Sequence, residues 1–269
     1  MSFFLKKYIF NLLAEHFKFW VFLCLFSALV GSFPAWSLQD EQTLQLTPTQ
    51  YQQIEKFYGK AASDRVKTWM LMLKNTKNLP EDMKLSKVNQ FFNRLQFISD
   101  EEHWNKEDYW ATPLEMLITN GGDCEDFSVA KYFSLLQLNV DMSKLRLTYV
   151  KALKLNQAHM VLSYFAEGQE QPLVLDNLID GIEPASKRTD LEPLYSFNGE
   201  DLWLSKERAR GQWIGKSTKI SLWRDLIERF NQTIDKQIVW NHKADDKATE
   251  SSTAKQPTKV ISEKNRSKQ

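Results

Sequence analysis

The chain has 269 residues, of which 42% are hydrophobic and 26% charged, with 9 Gly, 8 Pro and 2 Cys. That balance is globular and excludes a fibrous or wholly disordered chain. With 35 basic residues against 34 acidic ones the net charge is +1, so the broad basic field that recruits nucleic acid is missing. Neither a glycine-rich phosphate loop nor a paired-cysteine zinc site can be read.

Taken in chain order, residues 1–37 have the layout of a secretory signal. Lys6, Lys7 and Lys18 precede an uncharged run from Phe19 to Val30, and Gly31, Ser32 and Pro34 break it before Ala35-Trp36-Ser37. A basic start, a short apolar stretch and a small-residue exit predict export, with cleavage after Ser37. The run is short beside the roughly 20 residues of a membrane span; retention as an inner-membrane anchor is the alternative. Cleavage removes Cys24 and leaves Cys124 as the lone cysteine of the exported chain. A single thiol cannot close an internal disulfide, so Cys124 is either a packing residue or a nucleophile.

Residues 38–243 form the expected folded domain. From Thr47 to about Asp100 apolar residues recur at helical spacing: Ile54 and Phe57, then Val66, Trp69 and Leu73, then Leu85, Val88, Phe92 and Leu95. A stretch rich in tryptophan and acid, HWNKEDYWATPLEML, occupies 103–117; its Trp104 and Trp110, with Trp203 further on, are expected in the core. Gly121-Gly122 then breaks the chain before DCEDFSVAKYFSLLQL, a helix that Asp123 can cap and Asn139 can end. Beyond it the period becomes two, and 145–153, 159–166 and 172–178 read as strands. A final amphipathic helix is expected from Ser221 to about Ile234. Helices first and an antiparallel sheet second predict an α+β fold. Residues 244–269 are polar and are expected to be a disordered tail.

Cys124 falls at the predicted start of a helix, where unpaired N–H groups and the positive end of the dipole favour a thiolate. A hairpin centred between Glu167 and Gly168 pairs Met160 with Leu175, Val161 with Val174 and Leu162 with Leu173, which matches apolar residues on both faces. The same register sets His159 opposite Asp176. Cys124 as nucleophile, His159 as general base and Asp176 as its orienting carboxylate make a complete catalytic set. Asp123, Glu125 and Asp126 crowd the thiol. They are helix-capping and first-turn acids, or they hold a hard cation such as Ca²⁺, which would cancel the field that raises the thiol pKa.

The segment GGDCEDFSVAK, with AHMVL and LVLDN downstream and WNKEDYWATPLEML, LRLTYVKA and FNGEDLWL around them, resembles the bacterial transglutaminase-like cysteine proteases of the LapG type. The resemblance implies a transglutaminase/papain-like core used for proteolysis in the periplasm, with the triad on Cys124, His159 and Asp176. It also implies calcium bound through Asp123 and Glu125, with Asp126 a further contributor or only a cap. The implied substrate is a large surface adhesin, cut near its N-terminus within a di-alanine-containing motif, releasing the adhesin and dispersing biofilm. The implied inhibitor is an inner-membrane cyclic di-GMP receptor of the LapD type. Two rivals stand beside this reading: acyl transfer to an amine, as in true transglutaminases, and a non-catalytic binding module that kept the fold.

Overall fold

A computed structural model describes residues 44–169, 171–205 and 211–234; the expected signal 1–37 and tail 244–269 lie outside them. Every element below belongs to the compact unit that begins at Gln45. Three helices open it: α1 (Pro48–Tyr58), α2 (Lys60–Thr76) and α3 (Glu81–Phe92). Thr47 caps α1 through a reciprocal pair of bonds with Gln50, and Pro48 occupies the first turn where its missing N–H is harmless. Gly59, at φ +85°, separates α1 from α2.

The helical stripe expected to run on to Asp100 ends at Phe92. Gln96–Phe97 is instead a short strand, β1, paired in parallel with β2 (Gly121–Gly122). The glycines explain the override of the apolar pattern. A Cβ on Gly121 would meet the Gln96 carbonyl, and one on Gly122 would run into the Asp126 carboxylate. Two short helices lie between these strands, α4 (Asp100–Trp104) and α5 (Pro113–Thr119), the latter capped reciprocally by Thr112 and Glu115.

The centre of the molecule is α6 (Cys124–Gln137), buried without interruption from Glu125 to Leu135, as a helix enclosed on every side must be. Asp123 is its N-cap, and Asn139, in the left-handed region, follows its end. α2 reaches it through Trp69, whose Nε1 donates to Ser134 Oγ at 2.9 Å.

On another side of α6 lies a seven-stranded antiparallel sheet in the order β6-β5-β4-β3-β7-β8-β9. Its strands are β3 (Leu145–Ala152), β4 (Gln157–Tyr164), β5 (Leu173–Leu175), β6 (Glu183–Pro184), β7 (Leu191–Phe197), β8 (Asp201–Leu204) and β9 (Gln212–Lys216). Leu162, Leu147, Leu175 and Phe197 are register partners and therefore share one face. Phe197 on that face meets Trp223 of the last helix, α7 (Ser221–Ile234), which also stacks on Phe133 of α6. Val150, Ala152, Val161, Val174 and Leu191 form a second cluster with Ala185. Alternation puts these strand residues on the opposite face. Of the tryptophans expected in the core, Trp110 is buried and stacked on Phe197, whereas Trp104 and Trp203 are only half-buried.

Trp69 and Ser134 join the helical layer to the central helix in a fully buried contact. Trp69→Ala is expected to cost about 3–5 kcal/mol through cavity formation, and Trp69→Phe about 1–2 kcal/mol through the lost hydrogen bond, measured by urea unfolding.

Candidate active site

The β4–β5 register differs from the expected one by two residues. Leu162 pairs with Leu175 and Tyr164 with Leu173, so Asp176 is not directly opposite His159. The turn forms where expected, with the Gln169 N–H on Ala166 O at 3.1 Å, but β5 starts only at Leu173, after Pro172, which has no N–H to donate. A shift of two preserves the faces. Asp176, one residue past β5, still reaches the histidine diagonally, with His159 Nε2 and Asp176 Oδ1 2.8 Å apart.

Both side chains are almost wholly buried. Asp176 Oδ1 also accepts the Leu178 N–H at 3.1 Å, and Oδ2 is 2.7 Å from Arg188 Nη2. Burial pushes the Asp176 carboxyl upward, but the bond and charge of His159, the Leu178 N–H and Arg188 outweigh it and hold its pKa at about 2. The pair is therefore built around an ionised aspartate, with Nδ1 of His159 as the ring nitrogen left for proton transfer.

Cys124 stands at the first position of α6 and is half-buried. It meets the sheet where β5 is absent. β5 covers β4 only over Leu162–Tyr164, and α6 fills the vacated edge: Ser128 Oγ donates to Met160 O at 2.9 Å, and the Met160 backbone bonds to the Cys124 sulfur. The nucleophile candidate is thus seated against the residue that follows His159.

The thiol donates to Glu125 Oε2 at 2.9 Å. Burial, then the charge and hydrogen bond of Glu125, then the charge of Asp123, all push its pKa upward; only the Met160 backbone opposes them. This is the acidic crowding read from the sequence, and it is larger than expected. Asp100 and Asp108, from α4 and the loop after it, join Asp123, Glu125 and Asp126. Oxygens of Asp100, Asp123 and Asp126 fall within 4.8 Å of one another, as do those of Asp100, Asp108 and Glu125.

The members of this cluster differ in what they have left to offer. Asp126, fully buried, uses one oxygen on the Ala111 N–H at 2.6 Å and the other on the Asp123 N–H at 3.3 Å. Asp100 Oδ2 accepts the Tyr109 N–H at 2.5 Å, but Asp100 Oδ1 and Asp123 Oδ1 are buried without a partner. Burial first, and the neighbouring carboxylates second, raise Asp100 to about 6 and Asp123 to about 8; Asp108, Glu125 and Asp126 are also raised, chiefly by burial. Carboxylates gathered this closely cannot all ionise unless a cation joins them. The all-oxygen donor set and the two orphaned oxygens fit a hard cation held by Asp100, Asp108, Asp123 and Glu125, with Asp126 bracing the backbone around it.

The sequence reading contained Cys124, His159, Asp176, Asp123 and Glu125 but not Asp100, Asp108 or Arg188. Asp108 lies in the noted HWNKEDYW stretch, where its acidity had no assigned partner. Asp100 reads as an ordinary first-turn acid after the Ser99 cap, and nothing in the sequence singles out Arg188.

The family model of the bacterial transglutaminase-like cysteine proteinases matches residues 41–197. The chain belongs to that family. LapG of Legionella pneumophila, solved in an EGTA-treated form, is 40% identical with a TM-score of 0.59, over 66% of this chain and 96% of that one. Its calcium-bound form is 39% identical with a TM-score of 0.57, over 67% and 98%. No curated protein matches the chain. The α+β fold is accordingly the LapG-like, transglutaminase-like one. Among the described residues no helix is long and apolar enough to cross a membrane.

The raised carboxyl values carry a sign. A group whose folded pKa lies above its unfolded one stabilises the fold below the unfolded value and loses that contribution as pH rises through the folded value. In chelator, the melting temperature is expected to rise as pH is lowered from about 8 to about 6, and a saturating divalent cation is expected to flatten this slope. Differential scanning fluorimetry across that range, with and without chelator, checks both.

Proposed function

We propose that this chain is a periplasmic, calcium-dependent cysteine endopeptidase acting through Cys124, His159 and Asp176. The observation that carries the reading is the buried His159–Asp176 bond, one residue along β4 from the backbone that holds Cys124. Membership of a cysteine proteinase family supports the activity. In the proposed reaction the Cys124 proton passes to His159 Nδ1, and the thiolate attacks the scissile carbonyl carbon as its π electrons move to oxygen. Collapse of that tetrahedral species breaks the C–N bond, and His159 returns the proton to the leaving amine. His159 then takes a proton from water, the hydroxide attacks the thioester, and the acid departs as the thiolate is regenerated. Asp176 holds the imidazole in one tautomer and stabilises its charged form. The Cys124 N–H, at the first position of α6 and without an intrahelical partner, is the proposed oxyanion donor.

Calcium is the cation that best suits the carboxylate set Asp100, Asp108, Asp123 and Glu125, and LapG has been solved with it bound. When held there it supplies the positive charge that offsets the acids around the thiol. The proposed substrate is the N-terminal region of a large surface adhesin, cut within a di-alanine-containing motif and released so that biofilm disperses. The proposed inhibitor is an inner-membrane cyclic di-GMP receptor of the LapD type. The export layout of residues 1–37 and the lone exported cysteine support the periplasmic assignment.

The test is incubation of the protein with the N-terminal segment of a large adhesin from the same genome. Cleavage is expected with Ca²⁺, to fall at least ~100-fold in excess chelator, and to fall about 10³-fold or more in Cys124→Ala. Cleavage that survives Cys124→Ala would overturn the nucleophile. Release of ammonia from glutamine peptides in place of hydrolysis would move the assignment to acyl transfer.

A further inference from the structure

Asp176 is engaged at both oxygens, Oδ1 by hydrogen bonds and Oδ2 by an ion pair. Oδ1 faces His159 Nε2 and the Leu178 N–H, while Oδ2 lies 2.7 Å from Nη2 of Arg188. Arg188 follows the single helical turn Ala185–Lys187, between β6 and β7, and is 5% exposed. Its guanidinium also holds Asp190 by two bonds, Nε to Oδ1 at 3.0 Å and Nη2 to Oδ2 at 2.9 Å. Nη2 therefore bridges two carboxylates. On the backbone side, Asn93, the C-cap of α3, donates to the carbonyls of Asp176 and Ile179, at 2.9 and 3.2 Å. The charged or titratable groups facing Asp176 are His159 from β4, Arg188 with Asp190 behind it, and the buried Lys131 of α6, whose charge also senses Asp176.

We propose that Arg188 is a positioning residue for the proteolytic triad: paired with Oδ2 of Asp176, its charge keeps the buried carboxylate ionised with Oδ1 turned to His159. The inference rests on the cysteine-protease reading and adds a fourth residue to it. A carboxylate has two equivalent oxygens and rotates freely unless one of them is held. A buried carboxylate that loses its cation takes up a proton, and a neutral acid cannot stabilise an imidazolium. A planar guanidinium fixed along its Nε/Nη2 edge by Asp190 holds its charge in place beside Oδ2, which a flexible ammonium does less well.

The experiment uses the full chain in calcium-containing buffer and follows alkylation of Cys124 by iodoacetamide against pH, with the labelled site identified by mass spectrometry. Arg188→Met is expected to slow alkylation at pH 7 about tenfold and to move the midpoint of the rate–pH curve up by about one unit, the equivalent shift. Arg188→Lys is expected to restore the midpoint but only part of the rate. Asp190→Asn, which leaves the guanidinium charge in place, is expected to fall between wild type and Arg188→Met. A purely structural Arg188 would lower the melting temperature and leave the rate–pH curve in place, and that result overturns the inference. If Arg188→Met does not fold, unchanged curves in both Arg188→Lys and Asp190→Asn overturn it equally. His159→Ala separates the two levels. If it slows alkylation while the arginine variants do not, only the role of Arg188 falls; if it too has no effect, the triad reading falls and takes this inference with it.

Discussion

Asp126 is the buried acid on which the site depends. Its two oxygens hold the N–H of Ala111 and the N–H of Asp123, so one side chain fixes both the loop that carries Asp108 and the turn that starts α6. Gly122 has no side chain because the Asp126 carboxylate occupies that space. A buried carboxylate satisfied by two backbone donors is a rigid bracket. Asp100 does the same for the Tyr109 N–H, and Arg229 of α7 donates to the Trp110 carbonyl at 2.6 Å. Residues 109–111 are thus fastened from α4, α6 and α7 together.

The fastening divides the site electrostatically. On the side of α4 and the start of α6, carboxylates accumulate beyond what the local cations offset, and burial raises every one of them. On the side of β4, β5 and the β6–β7 connection, a buried aspartate is over-supplied with partners and is held at about 2. Cys124 sits at the boundary between the two. The contrast follows from pairing: both sides are desolvated, but only one has guanidinium and imidazole groups inside it.

Much of this could be read along the chain because it rests on local chemistry. The start and end of α6 followed from Asp123 and Asn139, and α7 from its apolar stripe, as capping and periodicity act within a few residues. The association of His159 with Asp176 followed from the hairpin's alternation, which fixes faces firmly and register less firmly; the slip of two lies on the second arm, where β5 waits until Leu173, past Pro172. Asp100, Asp108 and Arg188 were illegible for a different reason. Each arrives from a separate segment, and a carboxylate or guanidinium gives no sign in sequence of what it will face. The helical stripe expected to run past Leu95 to about Asp100 misled because β1 pairs with a glycine strand whose own pattern is blank.

The shortness of β5 has a consequence beyond chemistry. A strand edge left open is a template for pairing with any extended chain, including another copy of the same protein. Here the first turn of α6 stoppers that edge. The Met160 carbonyl is taken by Ser128 Oγ, its backbone is engaged by the Cys124 sulfur, and Ser128 also ties back to Cys124 O at 3.0 Å. The opening that admits Cys124 to the sheet is closed by the helix that bears it, so this stretch of β4 offers little foothold for edge-to-edge aggregation.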